Sequence, residues 1–318
     1  MNSPGSRLAE RFAADLDALA PANQRIGIAV SGGPDSLALL LLAAAARPGR
    51  VQAATVDHRL RPASGEEAAM VASLCARLGV PHSILIADWT DPPASNLQSE
   101  ARAMRYRLLT DWARDFGIPA IATAHHADDQ AETLLMRLAR GAGVGGLGGV
   151  RARRALAEDV MLVRPLLSWR KAELVSVVEV AGVKAVDDPT NRDPRHDRVR
   201  IRKVLEGAKW ADPARLAASA AALRDAEEAL DWTLAPLIES RIAHEDEALT
   251  IDPQDLPREL QRRLLLAGIA QFGAPAPRGP DLVRAIAALE EGRTITLSGL
   301  KLEGGASWRL SLAPPRRA

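Results

Sequence analysis

Ile26-Gly27-Ile28-Ala29-Val30-Ser31-Gly32-Gly33-Pro34-Asp35-Ser36-Leu37-Ala38-Leu39-Leu40 is the stretch whose reading decides the fold. Residues 26–30 form a short apolar run, the pattern of a strand buried on both faces. Residues 31–35 read as a turn, with two glycines that admit unusual backbone angles and a proline that fixes φ. Asp35 or Ser36 can cap the helix that follows over residues 37–46. Strand, glycine turn and helix start together make an anion site, because free backbone N–H groups converge at the positive end of a helix dipole. The loop is not a Walker A motif, since no G-x-x-x-x-G-K-[ST] occurs in the chain.

Outward from this loop, strands and helices alternate. Residues 51–56 read as a second strand ending in Asp57-His58-Arg59, and Ser64 with Glu67 forms a capping box for a helix reaching about Leu78. A third strand follows at 81–87, then the loop Asp91-Pro92-Pro93 and an arginine-rich helix over about 97–116. A fourth strand at 118–124, a helix over about 127–140 and a fifth strand around 160–163 complete the pattern. This alternation predicts an α/β fold, a Rossmann-like parallel sheet with helices on both faces. Ligands of such sheets lie at the carboxyl ends of the strands, which gathers Ser31, Asp57, His58 and His125 at one crevice. Composition shifts near residue 210. Residues 1–210 read as one α/β domain, and 211–318 as a helical linker followed by a small α+β domain. The linker helix, about 216–242, is expected to kink or break at Pro236. Helices are expected at 258–271 and 281–289, strands at 293–297, 300–302 and 308–312, and a disordered tail at 314–318.

At 318 residues the chain has room for two domains, and 47% hydrophobic with 25% charged residues suits a folded core. No uncharged apolar stretch of membrane-spanning length occurs, and Arg7, Glu10, Arg11 and Asp15 interrupt any secretory signal. Cys75 is the only cysteine, which excludes an intramolecular disulfide and a C-x-x-C site. The protein therefore reads as cytoplasmic, with no membrane partner. A net charge of +1 announces no polyanion, but its distribution does. Residues 133–156 hold five arginines and no acid, and residues 191–203 hold six Lys or Arg against two aspartates. Such patches suit a polyanion docking at one place.

Gly141-Ala142-Gly143-Val144-Gly145-Gly146 satisfies G-x-G-x-x-G, yet it follows a helix rather than a strand, and no helix is expected to open from it before Arg151. The dinucleotide reading fails on that context, and a mobile, arginine-flanked loop is expected instead. His125-His126-Ala127-Asp128-Asp129-Gln130-Ala131-Glu132-Thr133 begins at a strand end. Asp129 and Glu132, at i and i+3, share one helix face and can hold a cationic substrate, a metal ion, or both. No H-E-x-x-H supports a zinc site.

The loop 31–36 resembles the Ser-Gly-Gly-x-Asp-Ser loop of the ATP pyrophosphatases. Taken with Val56-Asp57-His58, Asn96, Gln98, Arg102, Arg105, Tyr106 and the 125–133 run, the series resembles the tRNA(Ile)-lysidine synthetase family. Arg140-Gly141-Ala142-Gly143, Arg164-Pro165-Leu166-Leu167, Asp188-Pro189-Thr190-Asn191 and the 198–202 segment continue it in the family's order. The likeness covers about residues 20–205. Residues 211–318 fit the family's first C-terminal domain in size and position, and the further domain of longer members is expected to be lacking. The segment departs from the family's Arg-Asn-x-Ile-Arg at His196 and Val199.

The resemblance implies ATP-dependent joining of free L-lysine to C2 of the wobble cytidine of tRNA(Ile) with a CAU anticodon. ATP would be cleaved to AMP and pyrophosphate. Ser31, Gly32, Gly33, Pro34, Asp35 and Ser36 would orient the phosphates, with Asp57, His58 and His125 beside the nucleotide. Asp35 would hold Mg²⁺, Arg105 would contact phosphate or tRNA, and Asp129 and Glu132 would hold the lysine. A homodimer is one open assembly state. The nearest rivals are a tRNA thiolase, which needs active-site cysteines, an amidotransferase, which needs an ammonia source, and a non-catalytic nucleotide sensor, which has no use for Asp129 and Glu132.

Overall fold

The computed structural model describes residues 6–59, 64–89, 97–186, 197–208 and 210–314. Asn96, residues 91–93, 188–191, His196 and the tail 315–318, all quoted above, lie outside the described residues. The chain divides into two units, Met1–Arg224 and Asp225–Ala318.

The first unit is built on β1 (Ile26–Ala29), β2 (Val51–Asp57), β3 (His82–Ile86), β4 (Ala120–Ala122), β5 (Arg153–Ala155) and β6 (Met161–Val163). Their order is β3-β2-β1-β4-β6-β5. β1 runs parallel to β2, with Ile26 opposite Val51, and to β4, with Ile26 opposite Ala120. β6 is parallel to β4, whereas β5 is antiparallel to β6. The strand β5 was not expected from the sequence, because its three residues are all exposed and carry no apolar alternation.

Chain order runs outward from β1 to β3 on one side and from β4 to β6 on the other. The reversal between β1 and β4 opens a crevice at their carboxyl ends, and the loop 31–36 and residues 123–129 lie there.

The helices of this unit are α1 (Ser6–Asp17), α2 (Pro34–Ala46), α3 (Ser64–Leu78), α4 (Leu97–Asp115), α5 (Ala127–Leu138), α6 (Val144–Leu147), α7 (Lys171–Val180) and α8 (Asp197–Gly207); α9 (Pro213–Arg241) continues beyond it. Ser36 through Ala43 of α2 are all buried, so this helix is apolar on every side and packs against α1 and α7. The opposite cluster centres on Trp112, Leu109 and Ala113 of α4 against Ile121 and Leu162. Trp112 is 3% exposed, and its indole N–H donates to Ser83 Oγ at 3.1 Å.

In the second unit, β7 (Ile242–Glu245), β8 (Ala248–Ile251), β9 (Thr294–Leu297), β10 (Leu300–Glu303) and β11 (Trp308–Leu312) form an antiparallel sheet ordered β7-β8-β11-β10-β9. Its core joins Leu264, Leu265 and Ile269 of α10 (Arg258–Gln271) and Ile286 and Leu289 of α11 (Gly279–Glu290) with Trp308 and Leu310. The β7–β8 hairpin was not read from the sequence, since its turn is Asp246-Glu247, without the usual glycine or asparagine, and Asp246 takes φ 38°. Nor does Pro236 break α9, which runs through it. No helix among the described residues is long and apolar enough to cross a membrane.

The sheet and α4 approach closely over Gly27. A Cβ built there lies 2.8 Å from Trp112 Cζ3 and 3.3 Å from Ile118 Cγ2. Gly27→Ala is expected to destabilise the first unit by about 1–3 kcal/mol through overpacking. Denaturant unfolding checks this; an unchanged midpoint would mean the indole moves aside freely.

Candidate active site

Gly32 sits at φ +83°, a left-handed conformation, and its carbonyl accepts the Val186 N–H at 2.9 Å. Gly33 is the N-cap of α2 at φ −73°, and Pro34 opens the helix. The sequence placed the cap at Asp35 or Ser36; proline's fixed φ suits the first helical position and moves the start upstream. Leu37 is the first residue to close a helical bond, to Gly33 O at 3.0 Å. The N–H groups of Asp35 and Ser36 thus have no helical acceptor and remain available to an anion. Ser36 is 6% exposed. Its Oγ accepts the Ser31 N–H at 3.1 Å and donates to Gly33 O at 3.0 Å. Ser36 therefore stitches the loop, and Ser31 is the exposed hydroxyl.

From the β4 side, the His126 ring reaches across the crevice. It is 3% exposed, with Nε2 3.5 Å from Asp35 Oδ2 and 3.6 Å from Asp129 Oδ2, and Nδ1 3.7 Å from Asp128 Oδ2. Burial opposes charge on this ring, yet the hydrogen bond to Asp35 and the charges of Asp129, Asp35 and Asp128 prevail and raise its pKa. Asp129 also caps α5, accepting the His126 backbone N–H at 3.1 Å. Asp128 accepts the Lys171 N–H at 2.8 Å and so holds the start of α7.

His125 has the opposite environment. Burial lowers its pKa to about 4, with Asp129 opposing and Arg164, Arg102 and Arg198 adding to the depression. Its Nδ1 lies 3.1 Å from Thr123 Oγ1. The two adjacent histidines are thus shifted in opposite directions, His125 towards the neutral ring and His126 towards the charged one.

Glu132 does not share an open face with Asp129. It is 2% exposed, with Oε1 accepting Arg202 Nε at 2.7 Å and Oε2 3.1 Å from Arg198 Nε. The bond to Glu132 raises the Arg202 pKa, and the pairings clamp α8 onto α5. Arg200 pairs with Asp197, which Arg140 also reaches at 2.7 Å. Arg198, Arg200 and Arg202, read from the sequence as part of a polyanion patch, are therefore each paired with a carboxylate, although Glu132 and Asp197 are shared among four guanidiniums and leave net positive charge.

The glycine-rich loop also differs from expectation. A helical turn, α6, does open within it, capped by Gly143. Gln130 exchanges two bonds with Val150, at 2.9 and 2.6 Å, and Arg137 donates to Gly146 O at 2.7 Å and Gly149 O at 3.1 Å. Side chains of α5 thus satisfy part of the loop's backbone and tether it.

Asp57 closes the β2 turn, accepting the Arg59 N–H at 2.8 Å, and the bond from Ser64 lowers its pKa despite partial burial. The His58 carbonyl accepts the Trp89 indole N–H at 2.8 Å, and Arg105 Nε approaches His58 Nε2 at 3.5 Å. Burial and Arg105 lower the His58 pKa. Desolvation, with the charge of Arg102, lowers that of Arg105 although the residue as a whole is exposed.

A family model described as a PP-loop domain matches residues 6–208. A tRNA(Ile)-lysidine synthase of Novosphingobium aromaticivorans is 48% identical over 316 residues, covering 98% of this chain and 96% of that protein. The chain belongs to the tRNA(Ile)-lysidine synthase family. A second such synthase, from Zymomonas mobilis, is 42% identical over 301 residues, covering 93% of this chain and 91% of its own. Among solved structures, the U34-tRNA thiolase NcsA of Methanococcus maripaludis, with its 4Fe–4S cluster, is similar at a TM-score of 0.58 and 18% identity, covering 71% of this chain and 78% of that one. That likeness is one of fold. In this member of the synthase family Cys75, the sole cysteine, is buried in α3 and its thiol pKa is pushed up to about 11 by burial, the reverse of an activated thiolate.

The pairing of the histidines with their surroundings was not legible in the sequence, because it depends on carboxylates and arginines from α2, α4, α8 and the end of β6. It gives opposite pH dependences in the nucleotide-free protein. From about pH 6.5 down towards 4 the unfolded chain binds a proton that folded His125 refuses, so stability falls as pH falls. The raised pKa of His126 adds stability that is fully present below 6.5 and lost as pH rises through the folded value. Histidine NMR titration should find one ring titrating near 4 and its neighbour above 6.5; two values near 6.5 would contradict the assignment.

Proposed function

We propose that this chain joins free lysine to C2 of the wobble cytidine of tRNA(Ile) with a CAU anticodon, using ATP. The cytosine O2 attacks the α-phosphate and pyrophosphate leaves. The lysine ε-amine then displaces AMP at C2, giving lysidine. The observation that carries the reading is the crevice between β1 and β4, where the phosphate-ready loop 31–36 faces the 125–129 segment in a chain alike over almost its whole length to synthases of that name.

In this reading Ser31 and the backbone N–H groups of the loop bind the ATP phosphates. Mg²⁺ fits Asp35: Oδ1 is buried and has no hydrogen-bond partner, a vacant hard donor of the kind the ion takes. Among the described residues no group of three or more His, Cys, Asp or Glu could hold a metal by itself, so phosphate and water would complete the shell. Bound there, the ion supplies neutralising charge as pyrophosphate departs. His126 fixes Asp35 relative to α5. Neutral His125 and Arg105 suit contact with base or phosphate.

Lysine must keep its α-amino end bound and its ε-amine free to attack. Asp129 is the acceptor proposed for an ammonium group, since Glu132 is already occupied by Arg198 and Arg202 and acts by holding α8. Asp129, or Glu132 if those arginines release it, can also take the proton that renders the amine inert. The second unit is proposed to bind tRNA as well; Trp232 on its part of α9 is 81% exposed. A reaction drawing on ATP, tRNA and free lysine belongs in the cytoplasm.

Nucleoside mass spectrometry of tRNA(Ile) incubated with protein, ATP and lysine should reveal lysidine, with AMP and pyrophosphate as products. Stoichiometric ADP would sink the reading. Asp35→Ala should abolish turnover in a folded protein. Asp129→Asn should raise the lysine KM about tenfold or more, the order of one charge-assisted contact, while formation of adenylated tRNA survives better. Loss of adenylation with unchanged lysine KM would instead assign Asp129 to the metal.

A further inference from the structure

Most arginines of the first unit near the crevice have acidic partners: Arg140 on Asp197, Arg198 and Arg202 on Glu132, and Arg170 on Asp128 and Asp212. One group does not. The Arg102 guanidinium lies 5.1 Å and that of Arg154 5.2 Å from the Tyr106 ring centre. Arg164, at the end of β6, is 3% exposed, donates to Arg151 O at 2.5 Å and lies close enough to Tyr106 for that side chain to favour its charge. Its Nε is buried and has no partner. No carboxylate among the described residues pairs with Arg102, Arg154 or Arg164. Burial and the charges of Arg102 and Arg154 lower the Arg164 pKa, though Tyr106 opposes them.

Three guanidiniums around one ring, one of them desolvated, repel one another until an anion arrives. The geometry points to a phosphodiester seat formed by Arg102, Arg154 and Arg164 around Tyr106, which takes a backbone phosphate of the tRNA strand beside the crevice. Arg102 and Arg154 are exposed, and a cavity lined by Tyr106, Arg107, Thr110, Asp111, Arg114 and Arg154 among others continues from the ring along α4, its basic residues outnumbering the one acid. The Tyr106 ring already has guanidiniums against it, so the seat offers little stacking surface to a base. It therefore sets the register of the strand without reading its sequence.

The seat rests on tRNA being the substrate, and the experiment separates the two ideas. tRNA binding by the full chain is measured across a salt series for wild type, for Arg102→Gln/Arg154→Gln and for Arg102→Lys/Arg154→Lys. If wild type neither binds nor modifies tRNA, the functional reading has failed. If it does, the glutamine pair should flatten the slope of log K against log salt by about two and raise the tRNA KM for cognate and non-cognate transcripts alike. The lysine pair should restore the slope, because charge rather than packing carries the contact. An unchanged slope in the glutamine pair would overturn the seat. So would an increase confined to the ATP or lysine KM, which would assign the anion to the triphosphate or the amino-acid carboxylate.

Discussion

The buried imidazole of His126 faces carboxylates from two separate chain segments, Asp35 in the first turn of α2 and Asp128 and Asp129 in the first turn of α5. Both helices start at neighbouring strands, on either side of the reversal in strand order. Three acids around one ring favour its protonated form, which is why their charges raise the His126 pKa, and a proton there lessens the repulsion between the helix starts. The same residues then propagate order outward: Asp129 caps α5 and Asp128 seats α7. The two sides of the crevice are thus bridged through His126, from Asp35 of α2 to Asp129 of α5.

The strand–turn–helix at 26–46 was legible because each of its signals is local. An apolar β-branched run, glycines and a proline act within a few residues of themselves. The helix start at 125–133 was legible for the same reason, since it follows a strand end and its signals are local. Partners were not legible. Glu132 looks like a free acid in sequence, and only the docking of α8, more than sixty residues on, places Arg198 and Arg202 on it. Ser36 looks like a phosphate ligand, yet its hydroxyl closes the loop on itself. The missed elements share another cause. β5 has three exposed residues, and the β7–β8 turn lacks glycine, so neither carries the periodicity or the turn chemistry that sequence reading relies on.

Counting charges along the chain located arginines but misjudged which of them are available. The run at 191–203 is the denser in Lys and Arg, yet its helical arginines at 198, 200 and 202 are each paired with Glu132 or Asp197, two carboxylates that, with Arg140 counted, serve four guanidiniums. The arginines without acidic partners come from α4, β5 and the end of β6, scattered over sixty residues of sequence and assembled by strand order. Availability is a property of pairing, which the fold decides, and not of local density.

The antiparallel strand β5 has a consequence for how these molecules behave in company. An open sheet ends in a row of unpaired backbone groups, a template onto which another chain can zip. Here that border is three residues long, and two of them, Arg153 and Arg154, project to opposite faces because side chains alternate along a strand. An incoming strand would meet a cation above the sheet and another below it, with room for hardly any ladder bonds. A strand that adds little to the core thus blunts one of the sheet's two borders, the opposite one being the five-residue β3.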